Sequence, residues 1–172
     1  MRGRILRSAL LVLTVVIVQH SILNSVQFFG VHLDLPLLLV IVAGFTVGRE
    51  AGAVIGFVVG LMVDSFLLTP FGLSAMVFSV IGYLAGQTEK GSIIGPWTIN
   101  AALASLLSAA GILAYEVASR LLGFGQLLRI NLVKVVLVVA VTNAILSVVM
   151  VPLGRWAFSS RESNSRPPLM RR

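Results

Sequence analysis

The chain has 172 residues, of which 58% are hydrophobic and 11% charged, and its mean hydropathy is +1.02, against roughly 25% charged residues in an ordinary soluble domain. This excludes a water-soluble globule, while the lack of cysteine and the presence of two histidines leave no disulfide or thiolate chemistry and little for a metal. The formal net charge is +7, but the basic residues lie between and beyond apolar runs, so anionic lipid headgroups are the expected counterpart and nucleic acid is not.

Apolar runs separated by short polar breaks predict about six transmembrane helices, each judged against the ~20 residues that cross a bilayer. The first runs from about Ile5 to Leu23 behind Arg2, Arg4 and Arg7. Those arginines also fit the start of a signal peptide, but no small-residue cleavage site follows, and an uncleaved anchor is expected. Asp34 as N-cap and Pro36 in the first turn open a second helix that ends near Val47, before Gly48, Arg49 and Glu50. At ~1.5 Å per residue it reaches only ~20 Å, so it should be tilted, buried or incomplete as a span.

A third helix is predicted from about Ala51 to Leu68, broken by Thr69 and Pro70, and a fourth from about Gly72 to Gln87. So short a link makes them an antiparallel hairpin. The fifth follows Pro96 and Trp97 to about Ser119, and the sixth runs from near Asn131 to Leu153, closed by Pro152. The expected fold is an all-α polytopic membrane protein, with a six-helix transmembrane domain over residues 1–158. Residues 159–172 carry Arg161, Arg166, Arg171 and Arg172 among Ser, Asn and Pro, and read as a disordered basic cytoplasmic tail facing anionic lipids.

If the helices alternate from an inside start, Arg2, Arg4, Arg7, Arg49, Lys90, Arg155 and the four tail arginines lie on the cytoplasmic side. Arg120, Arg129 and Lys134 remain outside. That bias puts both termini in the cytoplasm, with Trp97 and Trp156 at the same inner interface.

Gly44, Gly48, Gly52, Gly56 and Gly60 recur every fourth residue, and the next position in that count is Asp64. Gly52, Gly56, Gly60 and Asp64 share one helical face, a flat groove for close approach of another helix. That helix is either a neighbour in the same chain or one from a partner. Asp64 is expected about one turn before the end of its helix, where an ionised carboxylate costs a few kcal/mol unless partnered. It is either a contact for a ligand, proton or partner helix, or an internal anchor accepting hydrogen bonds from Ser65, Thr69 or the turn that follows.

Glu116 precedes Arg120 by four residues, the favourable order for a helical ion pair near the outer surface, and Lys134 can snorkel. Asn143 and Ser147 share a face of the sixth helix, while Asn100, Ser105 and Ser108 decorate the fifth. Interhelical hydrogen bonding is the expectation, and a polar cavity at Asn100, Asn143 and Ser147 the alternative. His20, His32 and Asp34 around the first outer loop lack metal-ligand spacing. The sequence has no phosphate-binding glycine loop with lysine, no G-x-S-x-G and no H-E-x-x-H. An aspartyl intramembrane protease needs two carboxylates at one site, and Asp64 is the only aspartate in a spanning run. Neither catalysis nor a cofactor or metal is expected.

The segments "LDLPLLLVIVAGFTVG", "GAVIGFVVGLMVDSFLLTPFGLSA" and "VIGYLAGQ" resemble the bacterial rod shape-determining protein MreD family. The matching positions are Asp34, Pro36, Gly52, Gly56, Gly60, Asp64, Pro70, Gly72, Gly82 and Gly86, and the likeness covers nearly the whole chain. It implies a non-enzymatic multi-pass component of the cell-elongation and peptidoglycan-synthesis machinery in the bacterial cytoplasmic membrane. The implied partners are MreC, whose transmembrane helix would be held, and MreB, RodA and its partner transpeptidase, directly or indirectly. On this reading Gly52, Gly56, Gly60, Asp64, Pro70 and Gly72 form the helix-packing site.

The family is also similar in architecture to the substrate-binding components of energy-coupling-factor transporters. Those carry a small-xxx-small alanine motif on helix one, whereas this chain has Ser8 or Ala9 followed by Val12 or Leu13. The departure weakens the alternative function, a membrane substrate-binding subunit for a vitamin or small solute with Asn100, Asn143, Ser147 and Asp64 lining its pocket.

Overall fold

Six helices are present among the described residues of the computed structural model, which are 2–19, 21, 27–28, 31–32, 34–67, 70–87, 97–123 and 132–158. They are α1 (Arg2–Val18), α2 (Leu35–Val47), α3 (Arg49–Asp64), α4 (Leu73–Ala85), α5 (Trp97–Leu121) and α6 (Leu132–Phe158). Between α1 and α2, β1 (Gln27–Phe28) pairs antiparallel with β2 (Val31–His32), a minimal hairpin that the all-α expectation did not include. The tail 159–172, His20, Thr69, Lys90 and Arg129, and the side chains of Arg2, Arg4, His32, Trp97 and Lys134, lie outside the described residues.

The stretches Thr98–Leu121 and Leu137–Phe158, of 24 and 22 residues, are long and apolar enough to cross a membrane, spanning ~36 and ~33 Å against a hydrocarbon core of ~30 Å. Leu6–Val18, Leu35–Val47 and Leu73–Ala85 are shorter apolar helices.

The short second helix resolves to the buried one of its three expectations. Every residue from Leu35 to Phe45 is buried, and α2 touches α1, α3, α4, α5 and α6. Leu, Val and Ile occupy all sides of it, and a helix with no polar stripe has no preferred outward face. It becomes the axis around which the longer helices pack.

Two side chains fasten its N-terminal end. The Leu37 N–H donates to Asp34 Oδ1 at 3.0 Å, and the Leu35 N–H donates to Gln19 Oε1 at 3.2 Å, tying α1 to α2. Pro36 sits in the first turn, where no N–H is needed. Burial pushes the Asp34 carboxyl from 3.8 up to about 6, outweighing the Leu37 N–H, which favours the charged form. The folded state therefore holds this proton to higher pH than an unfolded chain does. Its contribution to stability is fully present below pH ~4 and is lost as pH rises through about 6. Asp34→Asn keeps a cap without a titrating proton, so it should flatten that decline and melt higher than wild type at pH 7 but not at pH 4. Thermal melts at the two pH values check this.

At its C-terminal end α2 passes into α3 through one residue. Gly48 has φ 90°, a conformation costly for any residue with a Cβ, and its N–H closes α2 on the Gly44 carbonyl while its own carbonyl receives the Gly52 N–H. Gly48 is thus a corner and not a rung of a continuous helical stripe.

Three helix ends differ from expectation. α1 ends at Val18, short of the expected Leu23. α3 stops at Asp64 instead of Leu68, because the Asp64 side chain is committed to the next helix, as described below. α6 runs through Pro152 to Phe158 instead of closing at Leu153. The proline is exposed and removes only the N–H opposite the Val148 carbonyl. The turn beyond it is held by burial of Gly154, Ala157 and Phe158, with Gly154 against the Val42 side chain.

Candidate helix-packing site

Gly52, Gly56 and Gly60 are buried on α3, and the helix that fills their groove is α4 of the same chain. A Cβ on Gly52 would stand 2.6 Å from the Gly82 carbonyl oxygen. On Gly56 it would fall on the Phe78 carbonyl, and on Gly60 on the backbone of Ala75. Gly44 reaches the same place from α2: its Cβ would lie 2.6 Å from the Gly82 oxygen and 2.7 Å from Ala85 Cβ. The every-fourth-residue count therefore spans two helices, and the corner at Gly48 folds them so that Gly44, Gly52 and Gly82 meet at one junction. Bare backbones pack here at distances that a single methyl group forbids.

Asp64 locks the open end of this hairpin. Its Oδ2 accepts from the N–H groups of Gly72 (2.9 Å) and Ala75 (3.2 Å), and its Oδ1 from the Ser74 N–H (3.1 Å). The residue is only 2% exposed. Gly72, at φ 101°, occupies the N-cap of α4 without a side chain to cap it, so the carboxylate of the preceding helix takes that role and places negative charge at the helix N-terminus. Pro70 completes the turn, its carbonyl accepting from the Leu73 N–H. Ser65, one of the expected donors, instead bonds to the Leu61 carbonyl.

The polar residues of α5 and α6 form a seam. Asn143 Nδ2 donates to Ser108 Oγ at 2.9 Å, and Ser105 Oγ donates to the Ala140 carbonyl at 2.8 Å. Asn143 Oδ1 is buried with no hydrogen-bond partner among the described residues. Ser147 bonds back to Ala144 of its own helix, and Asn100 lies eight residues before Ser108, ~12 Å along α5. Asn143 and Ser147 therefore stand one turn apart on the buried side of α6, while Asn100 stands more than two turns along α5 from the Ser108 contact. Arg120 Nε pairs with Glu116 Oε1 at 2.7 Å, but the Glu116 side chain is nearly enclosed beneath a half-exposed arginine, where an interfacial pair was expected.

Spacing pointed to the α3 half of the clasp and passed over the α4 half. A signal for the second half exists in the sequence, because Phe78, Gly82 and Gly86 repeat the interval of four, and Gly86 closes on the Arg49 backbone as Gly82 closes on Gly52.

A family model described as rod shape-determining protein MreD matches residues 3–158. The chain belongs to the MreD family. Membership gives it a role in rod shape determination and, with its apolar helices, makes it a membrane protein. The glycines and Asp64 that resembled MreD all fall within the matched span, on the α2, α3 and α4 unit. Neither the curated proteins nor the solved structures yield a match, so the architectural likeness of MreD to energy-coupling-factor components gains no support here.

Proposed function

We propose that this MreD-family chain is a non-enzymatic scaffold of the cell-elongation complex in the bacterial cytoplasmic membrane, holding the transmembrane helix of MreC. MreB, RodA and its partner transpeptidase are reached directly or through MreC. The observation that carries this reading is the use made of the acids. Asp34 caps α2 and Asp64 caps α4, so both carboxyls are committed to closing helix ends, while Glu116 is paired with Arg120 on its own helix. All six helices cross the bilayer on this reading, and both termini are cytoplasmic. In support, the start of α1 meets the end of α6 and the start of α3 meets the end of α4, gathering Arg7, Arg49 and Arg155 toward the ends assigned to the cytoplasm.

Because α4 fills the glycine groove, MreC must approach an outward apolar face. Photo-crosslinking residues placed at exposed Met76, Val80, Leu106, Val141 and Ile145 in native membranes should capture MreC from neighbouring positions on one face. Absence of MreC from every position and from the co-purified material, together with uptake of a solute by the purified chain in liposomes, would overturn the scaffold in favour of a transport subunit.

A further inference from the structure

The lipid-facing surface between α1 and α3 is not closed. α1 rests mainly on α2 and α6, leaving a crevice of about 460 Å³ lined by Leu6, Ala9 and Leu13 of α1, Val54 and Val58 of α3 and Phe158 of α6, with Ser8 as the one polar residue in the lining. Its volume falls within the roughly 300–1,000 Å³ of small-molecule sites. It opens sideways, since Leu6, Leu13, Val54 and Val58 are all exposed. From Val54 to Met62 it follows eight residues of α3, ~12 Å, against ~15 Å for one leaflet of hydrocarbon.

A cation stands at one end of this crevice. Arg7 is exposed next to Leu6, and its guanidinium lies 5.1 Å over the ring of Trp156, two residues before Phe158. An arginine held on an aromatic face at the membrane surface is a phosphate ligand with restricted freedom. Phosphate is what the phospholipid headgroups share, and it is the group a guanidinium fork matches.

We propose that the α1–α3 crevice binds one glycerophospholipid from the leaflet at the Arg7 end, with an acyl chain among Ala9, Leu13, Val54 and Val58 and its phosphate at Arg7 and Trp156. The site is independent of the MreC reading and survives or fails separately from it. Native mass spectrometry of the purified full chain, offered equal amounts of phosphatidylglycerol, phosphatidylethanolamine and diacylglycerol, tests it. The expected result is one retained phospholipid of either headgroup and no diacylglycerol. Arg7→Gln should lower retention about fivefold, the worth of one arginine at a charged headgroup. Val58→Trp, which fills the crevice, should remove the lipid, and Ala9→Phe serves as a second block whose fold is checked by helical content and melting. Equal retention of diacylglycerol, or full retention in folded Val58→Trp or Ala9→Phe, overturns the proposal. So does a photo-crosslinker at Val58 that captures a polypeptide and not a lipid.

Discussion

Gly56→Leu should leave little folded protein, with a loss of at least ~3 kcal/mol from overpacking that has no side-chain route to relief. The obstacle at Gly56 is the Phe78 carbonyl and the backbone following it, and at Gly60 it is the Ala75 backbone. A flexible side chain can rotate away from an added methyl group; a helical carbonyl cannot without moving α4 as a whole. Gly56→Ala should already be harmful, which separates steric exclusion from any need for glycine's flexibility. Gly72→Ala is the contrast. Nothing lies within 4 Å of a Cβ there, so only the positive φ opposes it, at about 1–2 kcal/mol. Thermal melting in detergent and the steady-state amount in membranes measure the series, expected to rank Gly72→Ala above Gly56→Ala above Gly56→Leu. A Gly56→Leu protein that melts like wild type and still brings down MreC would show that the α3 and α4 backbones do not meet at this face.

Removal of the Asp64 carboxylate should be the next most damaging change. Three N–H groups of the α4 turn converge on its two oxygens, and Ser74 and Ala75 are themselves buried, so water offers little replacement. Asp64→Asn turns one acceptor into a donor that faces another donor, for about 1–3 kcal/mol. Asp64→Ala strands all three amides, and roughly 3–5 kcal/mol is expected. Melting of both variants, alongside rod growth of strains carrying only Asp64→Asn, tests the role. Unchanged melting with lost rod shape would move Asp64 from cap to partner contact; lowered melting with shape lost in proportion fits the cap.

The legible features were those that depend on near neighbours in the chain. The cap at Asp34 with Pro36, the short hairpin after α3 and the pairing of Glu116 with Arg120 each need only a turn or so of local geometry. The glycine repeat was equally visible, but its meaning was not. Spacing of four says that residues share a face, and it is silent about which helix covers that face. Long-range contacts set the ends of α3 and α6, which local sequence does not show. Asp64 stops one helix by capping another, and the packing of Gly154, Ala157 and Phe158 carries α6 past Pro152.

Composition and periodicity alone thus determined a lipid-embedded helical chain, its succession of apolar runs and the small-residue surface it would use for close packing, because hydrophobicity and side-chain volume are properties of each residue where it stands. Only the tertiary structure decided that α2 is the buried axis, that Gly44 and Gly52 come from different helices to meet Gly82, and that Asp64 closes the α4 turn. Those outcomes depend on which backbones come within a methyl group of one another, and that distance is set by the corner at Gly48 and the turn at Gly72, not by any single helix.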